Sequence, residues 1–180
     1  MTITLIDSYS EANQDSFNYV SGYVSWLQGV GQSFTAVVGT LDSAQFYLRK
    51  NNSPTGNAVA KIYNYTGTPG STAKPTGAAL ATSDTFDVST LTTSFQLIEF
   101  LFSGAERIGL SVTNYIVTIE YTGGDATNLI VVGRDDSSST HAGNFSYIQT
   151  PNWTATTGDL IFYVYGETVS HFKRQFPLWL

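Results

Sequence analysis

Histidine is the side chain most often used as a general base near neutral pH, and this chain has two, His141 and His171. A Ser-His-Asp triad would require His141 as its base, but the sequence contains no Gly-x-Ser-x-Gly elbow that would expose a nucleophile. The absence of cysteine removes cysteine nucleophiles and thiolate metal sites as well. The sequence therefore predicts that the protein is not a hydrolase.

Carboxylates are the other groups that do chemistry in glycan-directed proteins. A glycosidase places two of them about 5 to 9.5 Å apart across the bond that it cleaves. The chain has fourteen acidic residues, and nothing in their spacing pairs two of them. We expect no enzymatic activity and no cofactor.

Oxygen donors recur in the second half of the chain, at Asp125, Asn128, Asp135, Asp136 and Asn144. Calcium takes six to eight oxygen ligands, so these side chains would suit a structural ion if their loops met at one end of the fold. The spacing does not match a calcium-binding EF-hand loop. We favour the simpler interpretation, solvated turn residues, and predict no metal site.

Tyrosines at alternate positions are predicted to point outward from three strands: Tyr47, Tyr63, Tyr65, Tyr163 and Tyr165. Exposed tyrosines on a sheet anchor a protein interface or stack on sugar rings, because each buries a large area at low entropic cost. A third interpretation is that the fold itself covers them. We favour the protein interface, and we predict that these tyrosines form a surface for a partner or a glycan.

The stretch around residues 43–65 predicts the elements that would position these side chains. Ala44, Phe46 and Leu48 alternate with polar residues, which is typical of a half-buried strand. Residues 51–56 are rich in turn formers, and residues 58–65 alternate again. The pattern predicts a β-hairpin whose apolar face requires a second sheet to cover it.

Further strands are predicted at residues 115–121 and 159–166, whereas residues 7–18 and 66–78 read as loops. Residues 17–27 fit a short strand or a helical turn. Residues 95–102 are apolar on both faces, which indicates a central strand or one contacted by another chain. About nine or ten strands and no long helix predict an all-β fold, an antiparallel two-sheet β-sandwich of jelly-roll type.

Composition narrows the classes of partner. The formal net charge is −6, and only 12% of residues are charged. Nucleic-acid binding is not expected, because a phosphate backbone would be repelled. No segment has the ~18 apolar residues of a membrane span, and the first residues lack the features of a signal peptide. We expect a leader removed earlier or release without secretion, as for a phage protein freed by lysis.

Ordered motifs between residues 31 and 166 resemble a class of bacterial and phage β-sandwich modules. They are Gln32-Ser33-Phe34, Ser53-Pro54-Thr55-Gly56, Gly143-Asn144 followed by Trp153, and Asp159 through Gly166. The resemblance implies a jelly-roll module similar to carbohydrate-binding and adhesive modules on surface proteins and virion fibres. It implies no catalytic residue.

We predict three segments: residues 1–28 packing on the sandwich, the sandwich at 29–169, and an apolar arm at 170–180. The arm is predicted to form an assembly interface through Phe172, Lys173, Arg174, Phe176, Leu178, Trp179 and Leu180. Five large apolar groups in eleven residues are unusual for a solvated terminus. The arm either folds over its own sandwich or, as we favour, docks on a neighbouring subunit.

These observations favour a non-enzymatic structural or adhesion protein of a phage virion, such as a decoration, tail or fibre subunit. Its expected partners are copies of itself or other virion proteins. The alternative is a glycan-binding module of a secreted or cell-surface bacterial protein. The expected location is the virion, with the extracellular space as the alternative.

Overall fold

A computed structural model describes residues 2–168 as two packed antiparallel β-sheets. Sheet A contains β1 (Thr2–Tyr9), β2 (Ser16–Val20), β4 (Gly39–Asn51), β8 (Gln96–Leu101), β9 (Gly109–Leu110), β11 (Leu129–Asp135), β14 (Asp159–Leu160) and β15 (Phe162–Thr168). Sheet B contains β3 (Gly29–Thr35), β5 (Asn57–Thr66), β6 (Lys74–Thr82), β7 (Phe86–Asp87), β10 (Asn114–Glu120), β12 (Phe145–Gln149) and β13 (Asn152–Thr156). The all-β class and the two antiparallel sheets are confirmed.

The number of strands, fifteen, exceeds the nine or ten predicted. One cause is that the predicted strand at 159–166 is divided at Ile161 between β14, which pairs with β11, and β15, which pairs with β4. A second cause lies in the segment predicted as loop, where β1 continues to Tyr9 and β2 begins at Ser16. Three single-turn 3₁₀ helices, Glu11–Asn13, Val88–Thr90 and Gly104–Glu106, complete the described structure.

The predicted hairpin of β4 and β5 is wrong. β4 belongs to sheet A, where it pairs with β8, β9, β11 and β15, whereas β5 pairs with β6, β7 and β10 in sheet B. The turn residues at 52–56 carry the chain from one sheet to the other. Alternation locates the buried face of a strand but does not select its partner, so the apolar faces of β4 and β5 meet across the core instead of side by side.

The core lies between the sheets and is filled by inward-facing side chains of both. Leu48 and Phe46 of β4 are fully buried, and the Phe46 and Phe100 rings meet edge to face with centroids 5.9 Å apart. From sheet B, Phe34 and Phe145 enter the same cluster. Rings buried in this way each remove roughly 150–250 Å² from water, which supplies much of the stabilisation that a fold without disulfides requires.

The loop predicted at 66–78 is shorter than expected, because β6 begins at Lys74. Pro75 is tolerated there since β6 is the last strand on its side of sheet B. Gly77 has φ +71°, a conformation that favours glycine, and the β5–β6 ladder shifts register between Ile62 and Asn64. The sequence therefore indicated turn-forming residues correctly at Pro75 and Gly77, but in the structure they lie within the irregular strand β6 and not in a loop.

Within residues 2–168 no helix is long and apolar enough to cross a membrane.

Candidate functional surfaces

The outer side of sheet A carries a band of exposed apolar and aromatic side chains. Cross-strand pairing places Leu5 beside Tyr165, Tyr165 beside Ser43, and Ser43 beside Leu101, so one row crosses β1, β15, β4 and β8. Leu5 and Leu101 are each 50% exposed. We call this surface the sheet A face and define it by Leu5, Tyr47, Leu97, Leu101, Tyr163 and Tyr165.

β8 supplies the part of this surface that matters most for function. Within residues 2–168 it pairs with β4 alone, so it is an edge strand and the central position considered from the sequence is wrong. Ile98 and Phe100 point into the core, whereas Leu97 is 37% exposed on the outer side with Leu101. The second apolar face of β8 is therefore uncovered in the described chain.

Aromatic side chains extend the sheet A face toward β2. The Tyr47 ring stacks on Phe95 with centroids 5.1 Å apart. The Arg49 guanidinium lies 5.1 Å from the Phe95 ring and 5.5 Å from the Phe17 ring, a cation–π arrangement that joins the two. Gly133 of β11 makes room for Tyr47, because a Cβ there would lie 3.1 Å from the Tyr47 Cδ1 atom.

The five predicted tyrosines do not form one surface. Tyr47, Tyr163 and Tyr165 lie on sheet A, and the last two stack with centroids 6.3 Å apart. Tyr63 and Tyr65 lie on β5 of sheet B. Because the two sheets turn their outer sides in opposite directions, no single partner surface contains all five.

Tyr63 is covered by its own fold. It is 8% exposed, packs with Ala73 and Ile116, and meets the edge of the Trp153 ring at 6.2 Å. Its hydroxyl donates a hydrogen bond of 2.9 Å to Glu120, and burial together with the Glu120 charge raises the pKa of Tyr63. This tyrosine is a packing residue.

Charged groups beside the sheet A face are already paired. The Arg107 guanidinium lies 2.8 Å from Glu167 and 3.2 Å from Asp42, and its hydrogen bond to Glu167 raises the pKa of Arg107. The Tyr163 hydroxyl donates to Glu11, and burial followed by this hydrogen bond raises the pKa of Tyr163. Glu99, which lies between Leu97 and Leu101 on the outer side of β8, is an exposed carboxylate that accepts from the Ser43 hydroxyl at 3.0 Å. The exposed leucines of this surface flank it.

His141 lies between the two sheets with both ring nitrogens engaged. The Gly143 N–H donates to Nδ1 at 2.9 Å, so Nδ1 carries no proton, and the Nε2–H group faces an Asp7 oxygen at 3.2 Å. Gln32 Nε2 also lies 3.2 Å from Nδ1. A general base requires a free nitrogen facing its substrate, and neither nitrogen of His141 is free in this arrangement.

Asp159 completes the same cluster beside a polar pocket of about 250 Å³. One carboxylate oxygen accepts from Gln32 Nε2 at 2.8 Å, and the other accepts from the His141 N–H at 2.9 Å. Burial raises the pKa of Asp159 despite these bonds. The cluster holds the loop at 140–143 in place and presents no activated nucleophile.

The oxygen donors considered for calcium are separated. The hydrogen bond from the Asn128 side-chain amide, followed by those from the N–H groups of Asn128 and Thr127, lowers the pKa of Asp125. Asp135 lies at the opposite end of β11, and seven residues of strand span roughly 20 Å. Among residues 2–168 no three His, Cys, Asp or Glu side chains form a metal cluster.

The predicted arm at 170–180, with Phe172, Trp179 and the other residues assigned to assembly, lies outside the described residues. The same holds for His171.

Comparison with known protein families, curated proteins and solved structures gives no match for this chain.

Sequence reasoning missed part of the aromatic band. Phe17 and Tyr19 fall in the segment predicted as a short strand or a helical turn and were not assigned to a surface, although their alternation in Ser16–Val20 was a usable signal. Arg49 and Phe95 were missed because their contact depends on the register of β4 against β8. No local pattern reveals that register.

Proposed function

We propose that this protein is a non-enzymatic structural or adhesion protein of a phage virion that assembles through contacts made by the sheet A face. The observation that carries the proposal is β8, an edge strand whose outer leucines, Leu97 and Leu101, are uncovered although its inner side chains are buried. The sequence left two explanations for its two apolar faces. With the central position removed, we propose contact with another chain, in preference to coverage by the arm of the same chain.

The size of the apolar surface supports a protein partner. Burying a leucine side chain fully contributes about 1.5–3 kcal/mol, and three exposed leucines lie on this face together with two stacked tyrosines. Tyrosine is enriched at interfaces because it anchors a large area at low entropic cost. Scattered single leucines need no explanation, but Leu97 and Leu101 share the outer side of β8, and Leu5 lies in the same cross-strand row as Leu101.

Edge strands add a second means of contact. β1 pairs only with β15 and β8 only with β4 in the described chain, so each has one side with backbone groups that face no strand. Such edges receive an added strand readily. A partner that crosses the sheet A face reaches both edges.

The C-terminal arm of a neighbouring copy is the occupant we propose. The described chain ends at Thr168, the last residue of β15 at the margin of the sheet A face, and the twelve residues that follow can span about 40 Å when extended. Four strands measure only ~15 Å across. Lys173 and Arg174 suit this partner, since the rest of the chain carries −8 once these two positive charges are removed from the total of −6.

A non-enzymatic role is supported by His141, whose ring nitrogens are occupied by Asp7 and Gly143. Jelly-roll topology is the finer description of the fold that we propose. It is supported by sequential strands that change sheets, β4 to β5 and β10 to β11, as the connections of jelly rolls do. The proposed location is the virion.

Sedimentation of three variants tests the proposed assembly. We expect the full chain to self-associate with increasing concentration, and the variant lacking residues 172–180 to remain a folded monomer. Leu97→Glu should also give a monomer, because a charge replaces an apolar group inside the interface. Leu80→Glu is the matched control, since Leu80 is likewise 37% exposed but lies on β6 of sheet B.

The proposal fails if the full chain stays monomeric alone and with purified virion proteins, or if Leu97→Glu and Leu80→Glu change assembly equally.

A second candidate function, glycan binding by a secreted or cell-surface bacterial module, is favoured by a different part of the molecule, the groove between β2 and β12.

A further inference from the structure

A groove of about 400 Å³ opens at the side of the sandwich, where β2 of sheet A faces β12 of sheet B. Its volume lies within the roughly 300–1,000 Å³ that is usual for small-molecule sites. None of the six residues that define the sheet A face lines it, although Phe17, at the end of the aromatic extension of that face, also lines the groove. The groove is therefore adjacent to the proposed assembly surface but is formed by different residues.

Four aromatic residues line this groove: Phe17 and Tyr19 of β2, Trp26 of the following loop, and Tyr147 of β12. The Trp26 indole N–H donates to the Ala126 carbonyl at 3.2 Å, and the ring meets the Tyr19 ring edge to face at 5.2 Å. Tyr147 packs against the main core. The walls are thus held before a ligand arrives, which lowers the entropic cost of binding.

Polar groups converge between these rings. Asn18 uses its side-chain oxygen to accept from Arg134 Nη1 at 3.1 Å, which leaves its NH₂ group as a donor for a ligand. Gln149, which is exposed, supplies a second amide at the rim. A purely apolar ligand would bury the Asn18 amide without a partner, at a cost of desolvation. The lining favours a ligand with both an apolar face and hydroxyl groups.

The charge of the groove further restricts the kind of ligand that it can bind. Among the described residues that line it, Arg134 alone is charged, and its Nη2 group already pairs with Asp136. The guanidinium also lies 4.5 Å above the Phe145 ring. An anionic ligand would have to compete with Asp136 for this cation, whereas a neutral ligand leaves the pair intact.

We propose that this groove binds a neutral oligosaccharide, with a sugar ring stacked against Trp26 and hydroxyl groups bonded to the Asn18 and Gln149 amides. A pyranose ring has an apolar C–H face and a hydroxyl rim, which matches aromatic walls separated by amides. The absence of a paired carboxylate at the groove lining means that the sugar is bound and not cleaved.

Binding to the full chain can be measured by isothermal titration with neutral cello-, malto- and manno-oligosaccharides, and with oligogalacturonate and heparin oligosaccharides as acidic probes. We expect saturable binding of at least one neutral probe and a loss of affinity of tenfold or more in Trp26→Ala. Gln149→Ala, which removes an exposed amide, should weaken binding severalfold without changing the unfolding midpoint. Trp153→Ala, on the outer side of sheet B, should bind normally.

The proposal is overturned if no neutral probe saturates up to about 10 mM, well above a weak millimolar Kd. It is also overturned if only the acidic probes bind, or if Gln149→Ala and Trp26→Ala both bind like the unchanged chain. The same titrations on the variant lacking residues 172–180, which is expected to be monomeric, keep these outcomes separate from the sedimentation result for the sheet A face.

Discussion

The outer sides of the two sheets have similar alternating sequence patterns, but their outward side chains differ in exposure. On sheet B, Tyr63 and Ile116 point outward but are buried, because the loop before β6 places Ala73 over them. On sheet A, Leu97 and Leu101 point outward and are exposed, and no described loop crosses them. Within residues 2–168 one surface is completed and the other is not, which shows that strand alternation alone does not decide whether an outward side chain meets water.

Hydrogen bonding follows the same division. Glu120, on the outer side of sheet B, accepts from Tyr63, Lys61 and Thr118 and is only 15% exposed in its side chain. Sheet A concentrates its paired charges at the margin, where Arg107 meets Glu167. The polar interactions of sheet B hold a covered surface together, whereas those of sheet A lie beside leucines that stay exposed.

The largest expected difference between the two sides is in the cost of losing a tyrosine. Tyr63→Ala should lower the free energy of unfolding by about 3 kcal/mol, because it opens a cavity under the loop. Tyr165→Ala should cost under about 1.5 kcal/mol in the monomer, since the ring is only half-buried. Urea denaturation measures both, and equal losses would remove the distinction.

A smaller effect is expected for the carboxylate on sheet B. Glu120→Gln should lower the free energy of unfolding by about 1–2 kcal/mol. The carboxylate of Glu120 accepts from Lys61, Tyr63 and Thr118, whereas the NH₂ group of the glutamine would face one of these donors and could not accept its hydrogen bond. The control is Glu99→Gln on β8, an exposed side chain whose amide oxygen can still accept from Ser43, and its expected cost is below about 0.5 kcal/mol. A larger loss for Glu99→Gln than for Glu120→Gln would contradict this account.

The smallest effect on stability is expected for Asp7 of β1, which joins the sheets because it accepts from the Thr35 N–H of β3. Burial favours the neutral form of Asp7, but hydrogen bonds from His141 and from the Thr35 and Ser8 N–H groups outweigh it and lower its pKa. Ionised Asp7 therefore stabilises the fold above about pH 4, the usual range for an unfolded aspartate, and this stability is lost as the pH falls through the lower folded pKa.

Urea midpoints measured from pH 6 to pH 2.5 should therefore fall, and Asp7→Asn should fall less steeply. The difference between the two chains cancels the opposite contribution of Asp159, whose raised pKa acts in the other direction. Parallel pH profiles would show that Asp7 does not link the sheets energetically.

Much of the fold follows from the sequence because alternation is a local property. It located the buried side of β4, where Ala44, Phe46 and Leu48 are fully buried. It did not locate the partners of β4, because residues 52–56 supply the same turn chemistry for a hairpin and for a crossing between sheets. Strand pairing is non-local, and no turn signal distinguishes these two uses.

The candidate surfaces were predictable to a similar extent. The two apolar faces of β8 were visible in the sequence, and they led to the contact hypothesis. The covering of Tyr63 was not visible, because it depends on where the loop carrying Ala73 lies in space. The groove at Trp26 was hidden as well, since its walls come from strands of different sheets.

The most direct test of the account is the accessibility of the sheet A face in the assembled protein. The chain contains no cysteine, so Leu101→Cys and Leu80→Cys each create a single labelling site. At concentrations where the full chain associates, maleimide labelling at position 101 should slow at least tenfold relative to the variant lacking residues 172–180, while labelling at position 80 stays unchanged. Equal labelling rates at position 101 with and without residues 172–180 would contradict the claim that a neighbouring chain covers this face.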